Sequence, residues 1–200
     1  PYVDTLFFTL HTLPVAEALA LGEDWLADET AWGTWGGAEA SRADGVLELQ
    51  RTASAGGLLG ESSYQHIQID FAWEGTLGEG AVLVLREVNS KCYQVPLSGD
   101  DAGGLRDNWR NAEHVTDTGE THLQDGDTNR MRVRLEGKRI RIWVNGQQTA
   151  DYTESDTRIP ATGHVGLAWP EGEASALQFT CFQVTPLRPS QSVDEPANRE

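Results

Sequence analysis

Two hundred residues carrying a formal net charge of −16 exclude a bulk surface suited to nucleic acid or anionic lipid, because the basic footprint such partners require is missing. An apolar fraction of 38% is enough for one core, and an all-β domain of this length needs no division. Seven Trp and 21 Gly suit packed sheets joined by tight turns, and two cysteines without a CxxC exclude a disulfide scaffold or a zinc ribbon.

The chain begins at Pro1 without an initiator Met, which is expected of a processed or partial chain and fits a removed signal peptide. The most apolar stretch, residues 6–21, falls short of the roughly 20 residues that span a bilayer and is interrupted by His11, Pro14 and Glu17. No transmembrane span is therefore expected. Tyr2, Leu6, Phe7, Phe8 and Leu10 must be buried against the domain, a protein partner or a membrane surface. Residues 14–21 are predicted to form one short helix, with Pro14 in the first turn and Gly22 past the end. The stretch holding Trp25, Trp32, Gly33, Trp35, Gly36 and Gly37 is predicted as a loop.

From Val46 onward the period becomes two. Strands are predicted at 46–51, 66–73, 81–88, 92–96, 131–135, 140–144, 164–168 and 177–185, separated by turn residues at sandwich spacing rather than by crossover helices. Cys92 and Cys181 both fall in apolar strands, so buried thiols are expected and the sequence leaves a disulfide open. The clearest pattern runs from Asn129 to Tyr152. Met131, Val133, Leu135, Ile140, Ile142 and Val144 form one face. Gly137-Lys138 and Asn145-Gly146 supply the turns, the second with the preferred type I′ pair. The opposite face carries Arg132, Arg134, Arg139, Arg141 and Trp143. Those arginines are expected to pair with the acidic excess. The sharper alternative is a face on which Arg and Trp143 recognise a carboxylate, a sugar or a partner.

Residues 98–127 are long and polar, as functional loops often are, and hold Trp109 between Arg106, Asp107, Asn108 and Arg110. Glu113, His114, Asp117, Glu120 and His122 lie in the same region, but their spacing matches no metal motif, so no metal and no cofactor are expected. Residues 188–200 have the composition of a disordered acidic tail. The expected division is an apolar segment at 1–22, a sandwich at 23–187 and a tail at 188–200.

The segments NRMRVRLEGKRIRIWVNGQQTADY, GHVGLAW and LQFTCFQVTPL resemble the closing half of concanavalin-like domains, more narrowly the 3-keto-disaccharide hydrolase or laminin-G-like group. Ala43-Asp44-Gly45-Val46-Leu47, Gln68-Ile69-Asp70-Phe71, and Ala81 to Arg86 followed by Tyr93 resemble earlier strands of that group. The resemblance extends from Trp25 to Leu187. It implies a concanavalin-like jelly-roll β-sandwich, with Arg86 and Tyr93 on the concave sheet. These are fold motifs, which speak weakly to chemistry.

The residues themselves argue against hydrolysis. Gln68 to Glu74 superficially matches a glucanase signature, but Gln68 replaces the nucleophilic carboxylate. Asp70 and Glu74, four residues apart on a strand, would be separated by about 13 Å, too far for a retaining pair. No GxSxG elbow and no phosphate-binding glycine loop is present. The expected function is a non-catalytic binding or scaffold module, an accessory subunit of a larger periplasmic or membrane-associated assembly. It would dock through Tyr2, Leu6, Phe7, Phe8 and Leu10 and act outside the cytoplasm, periplasmic or secreted. The alternatives are a hydrolase of the 3-keto-disaccharide type and a lectin-like sugar-binding module, for which Arg86, Tyr93, Trp109 and Trp143 are the candidate ligand-binding residues.

Overall fold

The computed structural model describes residues 23–74, 80–110, 113–116, 122–124, 128–169 and 176–188. The helix predicted at 14–21, the apolar residues before it and the tail from 189 lie outside the described residues. The chain is all β. Its strands are β1 (Glu23–Asp24), β2 (Trp32–Ala43), β3 (Val46–Gly60), β4 (His66–Glu74), β5 (Val82–Val88), β6 (Lys91–Pro96) and β7 (Leu105–Asp107). They continue with β8 (Glu113–Thr116), β9 (Thr128–Glu136), β10 (Arg139–Val144), β11 (Gln147–Thr153), β12 (His164–Trp169) and β13 (Ala176–Pro186). One turn of 3-10 helix (Glu29–Ala31) follows Asp28, whose carboxylate caps it by accepting from the Thr30 amide at 2.9 Å.

The strands are linked in the order β11-β10-β9-β4-β13-β3-β12-β5-β6-β7-β8. The path folds over at β3. Leu47 to Gln50 of β3 pair with β13, whereas Gly56 to Leu59 pair with β12. One long strand thus serves both layers of a jelly-roll sandwich. The first layer holds β13, β4, β9, β10 and β11, and the second holds β12, β5, β6, β7 and β8. β2 pairs with β3 throughout and slips register between Gly36 and Ala38 at the same corner, the usual way a strand switches sheets.

Alternation explains the core. Ile67, Ile69, Phe71, Met131, Val133, Leu135, Ile140, Ile142 and Val144 of the first layer are buried, as are Leu58, Leu83, Leu85, Val95, Val165 and Leu167 of the second. Both sets belong to one cluster. Each such side chain contributes about 1.5–3 kcal/mol by leaving water. Trp25 stacks on Phe182 at 4.5 Å between ring centroids, and Phe71 stacks on Phe182 at 5.3 Å.

The structure corrects several expectations. Residues 32–43 are not a loop. They form β2, because pairing with β3 along its whole length supplies hydrogen bonds that local composition does not advertise. The strand predicted to stop at residue 51 runs on to Gly60, straight through Gly56-Gly57. Small residues are required there because the paired strand β12 approaches closely. A Cβ on Gly57 would come within 2.2 Å of the Leu167 carbonyl oxygen. Residues 98–127 contain two short strands, β7 and β8, that extend the second layer. Cys92 is buried as expected, but Cys181 is exposed, because a register shift between Phe179 and Cys181 turns it outward. Both are free thiols. Among the described residues no helix is long and apolar enough to cross a membrane.

Candidate functional site: a groove across the first layer

The outer face of the first layer carries a groove of about 1060 Å³. The register that buries the apolar residues also lines up its floor. Gln183 on β13 pairs with Asp70 on β4, Asp70 with Arg132 on β9, and Arg132 with Trp143 on β10. One lateral row therefore presents an amide, a carboxylate, a guanidinium and an indole. The neighbouring row is Gln68, Arg134 and Arg141, and on the other side Cys181, Ala72 and Arg130 follow. Ala72 leaves the floor low between longer neighbours. Four adjacent strands at roughly 4.8 Å spacing give the groove a width of about 14 Å.

Most charges on this face are held in pairs. Arg132 Nε donates to Asp70 Oδ1 at 2.6 Å, and Gln68 Nε2 donates to Asp70 Oδ2 at 2.6 Å. Arg134 and Arg141 both contact the single carboxylate of Glu136, Arg134 at 3.3 Å. Arg139 meets Asp151 through two parallel bonds, Nε to Oδ1 at 2.8 Å and Nη2 to Oδ2 at 2.6 Å. This fork holds the Asp151 carboxyl below its ordinary range. The expected pairing of the arginine stripe with acidic residues is therefore present for Arg132, Arg134, Arg139 and Arg141. Arg130 makes no ion pair among the described residues. Trp143 is half-buried, and the Arg141 guanidinium sits 5.6 Å from its ring centroid, a cation–π contact that fixes the indole's orientation.

Of the four residues singled out from sequence, Arg86, Tyr93 and Trp109 lie near one another and Trp143 stands apart. Trp143 lines the groove. Arg86 and Tyr93 lie in the interior between the layers and are fully buried, so neither is presented on the outer face of its layer. The reason is local. The β5–β6 ladder shifts register after Leu85, and Arg86 takes a left-handed φ of 54°; such a bulge re-aims a side chain. Arg86 Nη2 donates to the carbonyls of Gly137 and Arg139 in the β9–β10 turn of the opposite layer. Its guanidinium lies 5.9 Å from the Tyr93 ring centroid, and its desolvation pulls its pKa down.

Tyr93 ends in a second buried network. Glu154 accepts from the Tyr93 hydroxyl, from the Tyr152 hydroxyl at 3.0 Å, from Arg110 Nη2 at 2.9 Å and from the Asp156 amide at 2.5 Å. Arg110 also pairs with Asp107. Burial alone would raise the Glu154 carboxyl, but these donors outweigh it and hold it at about 2. Trp109 packs half-buried against the core beside this network, its amide donating to Asp107 at 2.7 Å. Glu154 and Tyr93 are buried while Arg110 reaches them from the surface, and the Tyr93–Glu154 bond makes the network a clasp between the layers.

Sequence reasoning missed Gln68, Asp70, Cys181 and Gln183 as groove residues. The usable signal was the shared outward parity of Gln68, Asp70 and the arginines, but strand order was needed to bring them side by side. Among the described residues no three His, Cys, Asp or Glu side chains converge as metal ligands. The side chains of Glu113 and His114, and residues 117–120, lie outside the described set.

No curated protein matches the sequence. Among solved structures, carbohydrate-binding module CBM66 from Bacillus subtilis superposes with a TM-score of 0.58 at 17% identity, covering 78% of this chain and 95% of that one. A Bacillus subtilis protein of unknown function with a galectin-like fold gives 0.58 at 12% identity, covering 78% and 89%. A candidate glycosyl hydrolase from Parabacteroides distasonis gives 0.55 at 14% identity, covering 80% and 90%. At these identities the likeness is one of fold. The sequence model of the 3-keto-alpha-glucoside-1,2-lyase-like domain matches residues 21–182. The chain belongs to the 3-keto-alpha-glucoside-1,2-lyase-like domain family.

Proposed function

We propose that this domain binds carbohydrate, without transforming it, in the groove across its first layer. The observation that carries the reading is the row Gln183, Asp70, Arg132 and Trp143. Sugars offer hydroxyls to planar amides, carboxylates and guanidiniums, and an apolar C–H face to an indole. The carbohydrate-binding module CBM66 shares the fold, which supports the same use here. Glycoside hydrolysis ordinarily takes two carboxylates across the scissile bond. Among the described residues that line the groove Asp70 is the one carboxylate, and Arg132 and Gln68 already occupy it.

The domain then acts as an accessory module outside the cytoplasm, with Tyr2, Leu6, Phe7, Phe8 and Leu10 docking it to a protein partner. Affinity capture with the full chain and with residues 1–22 deleted tests that part, and equal recovery of partners by both would end it. The sugar reading is tested by glycan-array binding of the full chain, followed by titration of the best glycan against the Trp143→Ala variant. An affinity loss of at least about tenfold is expected from removing a stacking platform. An array without binders, or full affinity in Trp143→Ala, would overturn the reading. Family membership favours one second reading, a carbohydrate-active enzyme. Turnover of a 3-keto-disaccharide by the wild type, abolished in Asp70→Asn, would replace the binding reading with that one.

A further inference from the structure

We infer that the groove selects carbohydrates that carry a carboxylate, so that its ligands are uronate-containing oligosaccharides. This rests on the carbohydrate-binding reading and narrows it. The charge of the groove is opposite to that of the chain. On a protein with a net charge of −16, the described lining residues include Arg130, Arg132, Arg134 and Arg141 and, as a carboxylate, Asp70. The next carboxylate, Glu136, is shared between Arg134 and Arg141. Among the described residues the groove lining thus holds four guanidiniums and one carboxylate, with Asp24 beside Gln183 and Asp151 beside Arg141 at its borders.

Among the described residues Arg130 is the member without an ion pair. It is exposed and borders the low floor at Ala72 and Cys181. It lies two residues from Arg132 on the same strand face, about 6.6 Å along β9. A sugar ring lying against Trp143 and Arg132 could therefore direct a carboxylate at Arg130.

The same face shows the geometry such a contact takes, because Arg139 grips Asp151 through Nε and Nη2 together. A planar carboxylate matches the guanidinium fork in this way, whereas a neutral hydroxymethyl offers no charge and no second oxygen. The acidic remainder of the surface sets the upper limit on ligand charge. It repels extended polyanions such as nucleic acid while leaving the local basic groove to take short acidic glycans.

The test uses matched ligands on the full chain. Oligogalacturonides are titrated beside the same oligosaccharides as methyl esters, which keep the ring and remove the charge, and beside a sulfated neutral oligosaccharide. The expected result is affinity for the acid about tenfold above that for the ester, shrinking as salt is raised. Arg130→Gln, an exposed substitution away from the core, should weaken acid binding more than ester binding, so that the preference for the acid falls towards one. Equal affinity for acid and ester overturns the uronate inference and leaves the carbohydrate reading standing. Binding of the sulfated ligand in preference to the uronate overturns it in favour of sulfate. Failure of all three ligands, together with a glycan array that yields only neutral binders, overturns it as well, and an array with no binders ends both readings.

Discussion

The phenol of Tyr93, on β6 of the second layer, donates to the carboxylate of Glu154, which follows β11 of the first. The bond ties the two layers together at the edge away from β3. Its acceptor is 2% exposed and stays ionised, and the same donors that hold it there keep Arg110 and Tyr152 in place.

Replacing Glu154 by Gln should therefore destabilise the domain by about 2 kcal/mol at pH 7, since the amide keeps the shape and loses the charge-assisted bonds. The sign with pH follows from linkage. A carboxyl held at about 2, against an ordinary value of 4.5, contributes stability that is complete above pH 4.5 and is lost as pH falls towards 2. Urea unfolding at pH 7, 4 and 2.5 should show the gap between wild type and variant closing in that order. A gap that stays constant with pH would refute the clasp.

At the corner where β3 passes between layers, Gly57→Ala should cost about 2–4 kcal/mol. The added Cβ meets the Leu167 carbonyl at 2.2 Å, and backbone cannot give way as a side chain can. Gly146→Ala is the control. Its φ of 84° makes any side chain strained, but a Cβ there meets nothing within 4 Å, so about 1 kcal/mol is expected. Thermal unfolding of both variants ranks the two effects, and an equal loss would show that the corner tolerates more volume than its geometry permits.

These two sites also mark how far the fold was legible from sequence. The strands at 128–153 could be read directly, because Met131, Val133 and Leu135 alternate with arginines and Asn145-Gly146 demands positive φ at both residues, observed at 47° and 84°. β2 could not be read, because its strand character comes from β3 rather than from its own Gly-rich composition. In the groove, Trp143 and the arginines shared a visible face, whereas Asp70 reaches Arg132 from 62 positions away. The burial of Arg86 was not legible, because nothing local announces that its backbone turns left-handed and sends the guanidinium inward.

The two thiols should separate in a labelling experiment. Cys181 is exposed at the groove, and Cys92 is buried on the outer face of the second layer beside Val82, Val84 and Ala168. Burial raises both thiols above their ordinary value, so neither should react quickly at neutral pH. With a disulfide reagent at pH 8, one thiol should titrate in the native state and the second only after denaturation. Mass mapping should identify the first as Cys181, and occupancy of the groove by a ligand should slow it.

The pair formed by Asp70 and Arg132 should matter for binding far more than for folding. Arg132 is 55% exposed and Asp70 30% exposed, so water screens their attraction and the coupling should be below about 1 kcal/mol in a double-mutant cycle of Asp70→Ala and Arg132→Ala. Raising the salt to about 1 M should reduce that coupling further. The guanidinium is nevertheless fixed between Asp70 and Trp143 by this one bond. Asp70→Ala should leave Arg132 free to sample other rotamers and weaken glycan binding by about tenfold at nearly unchanged Tm, because an unfixed contact must be ordered anew on every encounter. A loss of binding that tracks the loss of stability would instead make Asp70 part of the fold rather than of the groove.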